Sequence, residues 1–215
     1  MLIVDLETTS VLPLDAEIIT GYFISCNPDL SIKSEFEFKA KPRLWSYEAE
    51  KIHGITKEEA DTFPTFKEAY PDLIAWIREQ KSTEFWCHAN ANMFGKNSYY
   101  DHAVLRMRFA EMNDEDYFVI SMMKPYSTHT LAKHLQSHFN FEGFKLNMIC
   151  KTLGIQLKHH DAKSDALACY EIIKKLLPLT SKYDLQNMRY ENESTITNPA
   201  IKTNPKRARG LPIFN

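Results

Sequence analysis

Three β-rich runs fill the first forty residues, Leu2 to Thr8, Glu17 to Cys26 and Ile32 to Ala40, and they restrict the possible folds more than anything else in the chain. The last two are separated by Asn27-Pro28-Asp29, a turn-forming triplet suited to a hairpin connection. An antiparallel meander that starts with the Asp5 strand is the expected result. After it the apolar spacing becomes helical. Thr56-Lys57-Glu58-Glu59 has the form of a capping box, and Thr65 to Gln80 carries Phe66, Tyr70, Leu73, Ile74 and Ile77 on one helical face. Glu84 to His88 reads as a buried strand, Tyr99 to Met112 as a helix with Val104, Leu105 and Phe109 inward, and Tyr117 to Met122 as a further short strand. From His129 onward the pattern is helical, broken near Asn140-Phe141-Glu142-Gly143 and at Gly154. The last strong helix spans Ala162 to Leu177 and is stopped by Pro178. Strands first and helices interleaved later give an α/β fold, a mixed sheet flanked by helices.

At 215 residues the chain suits one domain, expected over 1–179, followed by an extended or disordered tail over 180–215 rich in Asn, Thr, Pro and charge. Hydrophobic residues make up 44% and the net charge is -2, so any contact with nucleic acid has to use local basic patches. No signal-peptide pattern opens the sequence and no apolar run is long enough to span a bilayer. Cys26, Cys87, Cys150 and Cys169 stand alone in apolar or helical settings, which suits buried thiols and a reduced, cytoplasmic compartment.

Five residues stand out as candidates for chemistry. Asp5 and Glu7 are two apart on a strand, so both point to one face while Val4 and Leu6 point to the other. Such a pair on an edge strand is usually just a solvated face. Here it is followed by Thr8-Thr9 rather than by more alternation. Asp101 falls near the start of its helix, where the positive dipole end favours a carboxylate. Asp165 shares a helical face with Ala168, Cys169 and Ile172, and an acid on an apolar face needs a partner. His160, beside His159, lies five positions before Asp165, in the loop that leads into the same helix. This set offers hard oxygen ligands suited to two Mg²⁺ or Mn²⁺ ions, with an imidazole that titrates near neutrality available as a general base. A zinc hydrolase built on His88, His102, His159 and His160 is the weakest reading, because their spacings match no zinc pattern.

At these residues the sequence resembles the DEDDh branch of the DnaQ-like 3′→5′ exonucleases over about residues 1–178. Asp5-Leu6-Glu7-Thr8-Thr9 matches the first motif, and His160 through Asp165-Ala166 the third. The sister branch has a tyrosine where this chain has Asp161. Ile52-His53-Gly54-Ile55-Thr56, followed by Phe63-Pro64-Thr65-Phe66, is similar to a segment of the polymerase-proofreading and exodeoxyribonuclease X types. The second motif departs from the pattern. Cys87-His88-Ala89-Asn90 follows the strand, and Asp101 comes only after an added 92–98 stretch, with Asn97-Ser98-Tyr99-Tyr100-Asp101 restoring the spacing. Ser10 stands where a glycine is often found, and an Asp common on the later strand is replaced around Ser121.

The resemblance implies a ribonuclease H-like fold with a five-stranded mixed sheet. It also implies that Asp5, Glu7, Asp101 and Asp165 hold metal, that His160 is the base, and that Thr8 and His53 line a terminal-nucleotide pocket. The expected function is hydrolysis of single-stranded 3′ ends to nucleoside 5′-monophosphates, DNA before RNA. The alternatives are an exoribonuclease and a non-catalytic nucleic-acid-binding module. A third reading is a proofreading subunit whose Lys206 to Phe214 segment docks on a polymerase, against which an unstructured solubilising end is slightly favoured; a homodimer is a further alternative.

Overall fold

The computed structural model describes residues 1–89, 99–181 and 184–185. The 92–98 stretch and most of the 180–215 tail, with the segment expected to dock on a polymerase, lie outside the described residues. Five strands form one mixed sheet in the order β3-β2-β1-β4-β5, the five-stranded ribonuclease H-like architecture expected from the sequence. β1 (Leu2–Thr8), β2 (Ile18–Cys26) and β3 (Ile32–Lys39) make the antiparallel meander. β4 (Glu84–Cys87) runs parallel to β1, and β5 (Lys124–Ser127) parallel to β4.

Alternation along the central strand sorts side chains into two cores. Leu2, Val4 and Leu6 face α3 (Phe66–Gln80), α4 (Tyr100–Met112) and α5 (Asp114–Ser121), packing with Leu73, Ile77, Leu105 and Phe109. Ile3 faces the other side, with Ile24 and Trp86, under α6 (Thr128–His134), α7 (Leu146–Leu153) and α8 (Ala162–Leu176). Asp5 and Glu7 follow Ile3 in this alternation and therefore project on the α8 side. Cys26, Cys87, Cys150 and Cys169 are free and buried, as their settings in the sequence indicate.

Between β3 and α3 lie two short helices, α1 (Tyr47–His53) and α2 (Lys57–Ala60). Ser46 caps α1, and Gly54 ends it in the left-handed region at φ 73°. Thr56 caps α2, as the sequence suggests, while the reciprocal capping box forms at Thr65 and Glu68 at the start of α3. α1 is an element the sequence pattern does not mark, since no helical spacing is read between Ala40 and Thr56.

The expected strand over Tyr117 to Met122 is corrected, because those residues belong to α5 and its C-cap. The Asn113 side chain accepts the Glu115 N–H at 3.0 Å and starts the helix, and Asp116 is tied to α3 by the Tyr70 hydroxyl and the Arg78 guanidinium. These contacts outweigh the β propensity of Tyr117-Phe118-Val119-Ile120. The fifth strand forms just beyond, at Lys124–Ser127. Among the described residues no helix is long and apolar enough to cross a membrane.

α8 closes the sheet face that carries the acids, and its Ile172 is fully buried. Ile172→Ala should cost about 2–5 kcal/mol of folding free energy, measured as a lower urea midpoint with an unchanged slope.

Candidate active site

The acidic residues converge where β1 and β4 end. Asp5 is half-buried opposite Tyr22, and Glu7 is buried opposite Thr20. Just beyond Glu7 the pairing slips from Glu7↔Thr20 to Thr8↔Ile18, a bulge that bends the strand end and redirects Thr8. α8 brings Asp165 in its first turn from one layer, and α4 brings Asp101 in its first turn from the other. Both carboxylates therefore lie at positive helix ends, which offsets part of the cost of gathering them.

One carboxylate oxygen from each of Asp5, Glu7 and Asp165 lies within 4.8 Å of the others. Asp101 is outside this trio but lines the same cleft, buried next to the Cys87 thiol and the Leu6 backbone. The cleft has a volume of about 630 Å³, and all seven residues singled out in the sequence border it: Asp5, Glu7, Thr8, His53, Asp101, His160 and Asp165.

The electrostatics are those of acids forced together. Burial, then repulsion from Asp165 and Asp101, pushes Glu7 up to about 8. Burial likewise raises Asp5 well above the usual carboxylate range, with Asp101 and Asp165 adding to it, and pushes Asp101 up to about 7. Asp165 is also raised by burial, although His159 and the His160 backbone pull it back. Its Oδ2 accepts the His160 N–H at 3.2 Å and faces His159 Nδ1 at 3.1 Å. Its Oδ1 is buried with no hydrogen-bond partner among the described residues. Three clustered carboxylates with an unused buried oxygen, and no Lys or Arg among the described residues lining this cleft, fit a hard divalent cation.

The histidines occupy the walls. His160 is exposed in the loop before α8 at a φ of 65°, an uncommon conformation for a residue with a side chain, and its ring stacks on His159 at 3.9 Å. Burial and His159 hold its imidazole below the ordinary value, so it is neutral near pH 7. His53 comes from α1. Its Nδ1 accepts the Ile55 N–H at 3.0 Å, and its Nε2 is buried without a partner among the described residues. His88, at the end of β4, bonds Thr128 through Nδ1 at 2.8 Å and is driven down to about 3 by burial, which makes it a neutral wall.

Sequence reasoning missed two contributors. Tyr100 hydrogen-bonds Thr8 Oγ1 at 2.6 Å and donates to the Ser10 carbonyl, fixing the bulged strand end. Its only signal was adjacency to Asp101. The second is the contact of His159 with Asp165: the sequence places His159 only beside His160 and in the weak zinc-hydrolase reading, and no periodicity marks the contact because His159 lies in a loop.

A model of the RNase T exonuclease family matches residues 2–173. Among solved structures, E. coli exonuclease I in complex with a dT13 oligonucleotide superposes with a TM-score of 0.71 at 18% identity, covering 90% of this chain and 45% of that one. The zinc-bound form of the E. coli exonuclease I complex with single-stranded DNA gives 0.65 at 20% identity, covering 88% and 42%. These likenesses establish the fold, and the chain spans less than half the length of the exonuclease I chains. Comparison with curated proteins gives no match.

The raised carboxylates have a measurable consequence. Glu7 has a folded value of about 8 against an ordinary 4.5, so its contribution to stability is whole below about 4.5 and is lost as pH rises through about 8. With divalent ions chelated, the melting temperature should fall between pH 5 and pH 8.5, and Glu7→Gln should flatten that fall while changing little at pH 4.5. Differential scanning fluorimetry across the pH series checks this.

Proposed function

We propose that this chain, which belongs to the exonuclease family, hydrolyses single-stranded nucleic acid from its 3′ end, DNA before RNA, and releases nucleoside 5′-monophosphates with two divalent cations, Mg²⁺ or Mn²⁺. One observation carries the reading: Asp5, Glu7 and Asp165 meet within 4.8 Å on the floor of a cleft that Asp101 and His160 also line. The DNA preference is supported by the His53 segment and by the oligonucleotide bound to the structurally similar E. coli exonuclease I.

Asp5, Glu7 and Asp165 would hold the catalytic ion, with Asp5 shared toward a second ion supported by Asp101. Bound there, the cations would lower the pKa of the attacking water and neutralise charge that develops on the phosphodiester. The chain's own residues do the rest. His160, neutral and exposed at the cleft, accepts the proton of the attacking water on an imidazole nitrogen. Thr8 and His53 position the terminal nucleotide across the cleft mouth, and Tyr100 holds Thr8 in place through the 2.6 Å hydrogen bond. The unpartnered His53 Nε2 is a polar group suited to that contact.

Asp5→Asn and Asp165→Asn should abolish Mg²⁺-dependent cleavage without unfolding the protein, since each removes a buried like charge. His160→Gln should slow cleavage by about 10²–10⁴-fold. Oligonucleotides of DNA and RNA labelled at either end, single- and double-stranded, read these outcomes. Undiminished cleavage by the Asp5→Asn protein, or product release from 5′ ends, would refute the proposal. Faster turnover of RNA would reassign the substrate.

A further inference from the structure

The proposed reaction leaves His159 without a task, yet its placement is not that of an idle surface residue. Its Nδ1 faces Asp165 Oδ2 at 3.1 Å, and its ring lies over His160 with 20° between the planes. Imidazole nitrogens of His159 and His160 and a carboxylate oxygen of Asp165 all lie within 4.8 Å of one another. Two imidazoles and one carboxylate differ in kind from the oxygen-only set of Asp5, Glu7 and Asp165. Such a mixture favours borderline-soft ions, Zn²⁺ above all, over Mg²⁺. A tetrahedral ion with bonds of about 2.0–2.2 Å holds its ligands about 3.4 Å apart, so the two exposed rings have to close by about 1 Å and turn out of their stack to aim their in-plane lone pairs at one ion.

The backbone under these groups is already set. The Lys158 N–H donates to Ser164 Oγ at 2.8 Å, the Ser164 N–H donates to the Asp161 carboxylate at 2.9 Å, and the His160 N–H donates to Asp165 Oδ2 at 3.2 Å. The loop is thereby tied to the first turn of α8. Asp165 is only 4% exposed and its Oδ1 has no hydrogen-bond partner among the described residues, so this oxygen is not used by the fold.

We infer that His159, His160 and Asp165 form a second cation site, selective for a zinc-type transition-metal ion, which shares Asp165 with the oxygen-rich site and withdraws His160 from the reaction when filled. The binding rests on these three side chains alone. The inhibition rests on the function proposed above, because an ion on His160 occupies the lone pair that has to accept a proton.

Zinc binding is tested by titration calorimetry on Asp5→Asn/Glu7→Gln protein, in which the oxygen-rich site is disabled. One Zn²⁺ per chain is expected, and adding His159→Gln should weaken it by at least about tenfold, the smaller end of what loss of even a supporting group costs a metal site. In protein with all its carboxylates and excess Mg²⁺, His159→Gln should raise the zinc concentration for half-inhibition by a similar factor, each protein being normalised to its own zinc-free rate. His159 is exposed, and a melting curve verifies that the variant folds. Unchanged zinc affinity in the His159→Gln variant, or an unshifted half-inhibition, overturns the inference. Absence of any Mg²⁺-dependent cleavage overturns the proposed function instead, and the calorimetry still decides the site.

Discussion

Like charges held together at the open end of the sheet set the terms for this structure. Asp5, Glu7 and Asp165 would separate if they could, and burial raises the cost of keeping each one ionised. They stay because each is fixed to an element with no freedom to retreat. β1 is the middle strand, paired on both sides and packed on both faces. α8 is pinned by Ala166, Cys169, Ile172 and Ile173, all essentially inaccessible to solvent. The two apolar cores thus supply the free energy that holds an unfavourable cluster in place, and a cation is the charge that would relieve it.

This division explains what could be read from the sequence. The acids lie on regular elements, so periodicity locates them: the two-residue spacing of Asp5 and Glu7 puts both on the α8 face, and the spacing of Asp165 with Ala168, Cys169 and Ile172 buries it. Gly154 ends α7 in the left-handed conformation, where the break was expected. What failed were places where a tertiary contact outweighs local pattern. Tyr117 to Met122 has the composition of a strand, but Asn113 caps a helix there and Asp116 is held by Tyr70 and Arg78, 46 and 38 residues earlier in the sequence. The true fifth strand contains Pro125, a residue that usually argues against strand, which is tolerated at a sheet edge.

The walls of the cleft were legible only in part, for a related reason. His53 and Thr8 follow from motif resemblance, whereas Tyr100 reaches Thr8 from another layer of the fold and His159 reaches Asp165 from an irregular loop. A contact between elements 92 residues apart leaves no periodic trace. The same holds for His88, which the sequence shows only as following the β4 strand. Its hydrogen bond to Thr128 and its burial make it a structural wall, held neutral far below the usual imidazole value.

Carboxylates on rigid elements and imidazoles on a loop and a short helix give the site two kinds of part. The floor is fixed before any ligand arrives, which suits groups whose task is to present oxygens at a set spacing. The wall carrying His160 is exposed and holds an uncommon backbone conformation, which suits the proton-accepting role proposed for that imidazole. The arrangement has a consequence for selectivity. With the inferred second site, hard ions would be drawn to the floor and softer ones to the edge where His159 and His160 stack, with Asp165 in both ligand sets. In the proposed reaction, the identity of the ion on that shared carboxylate would therefore decide whether His160 is free to act as a base.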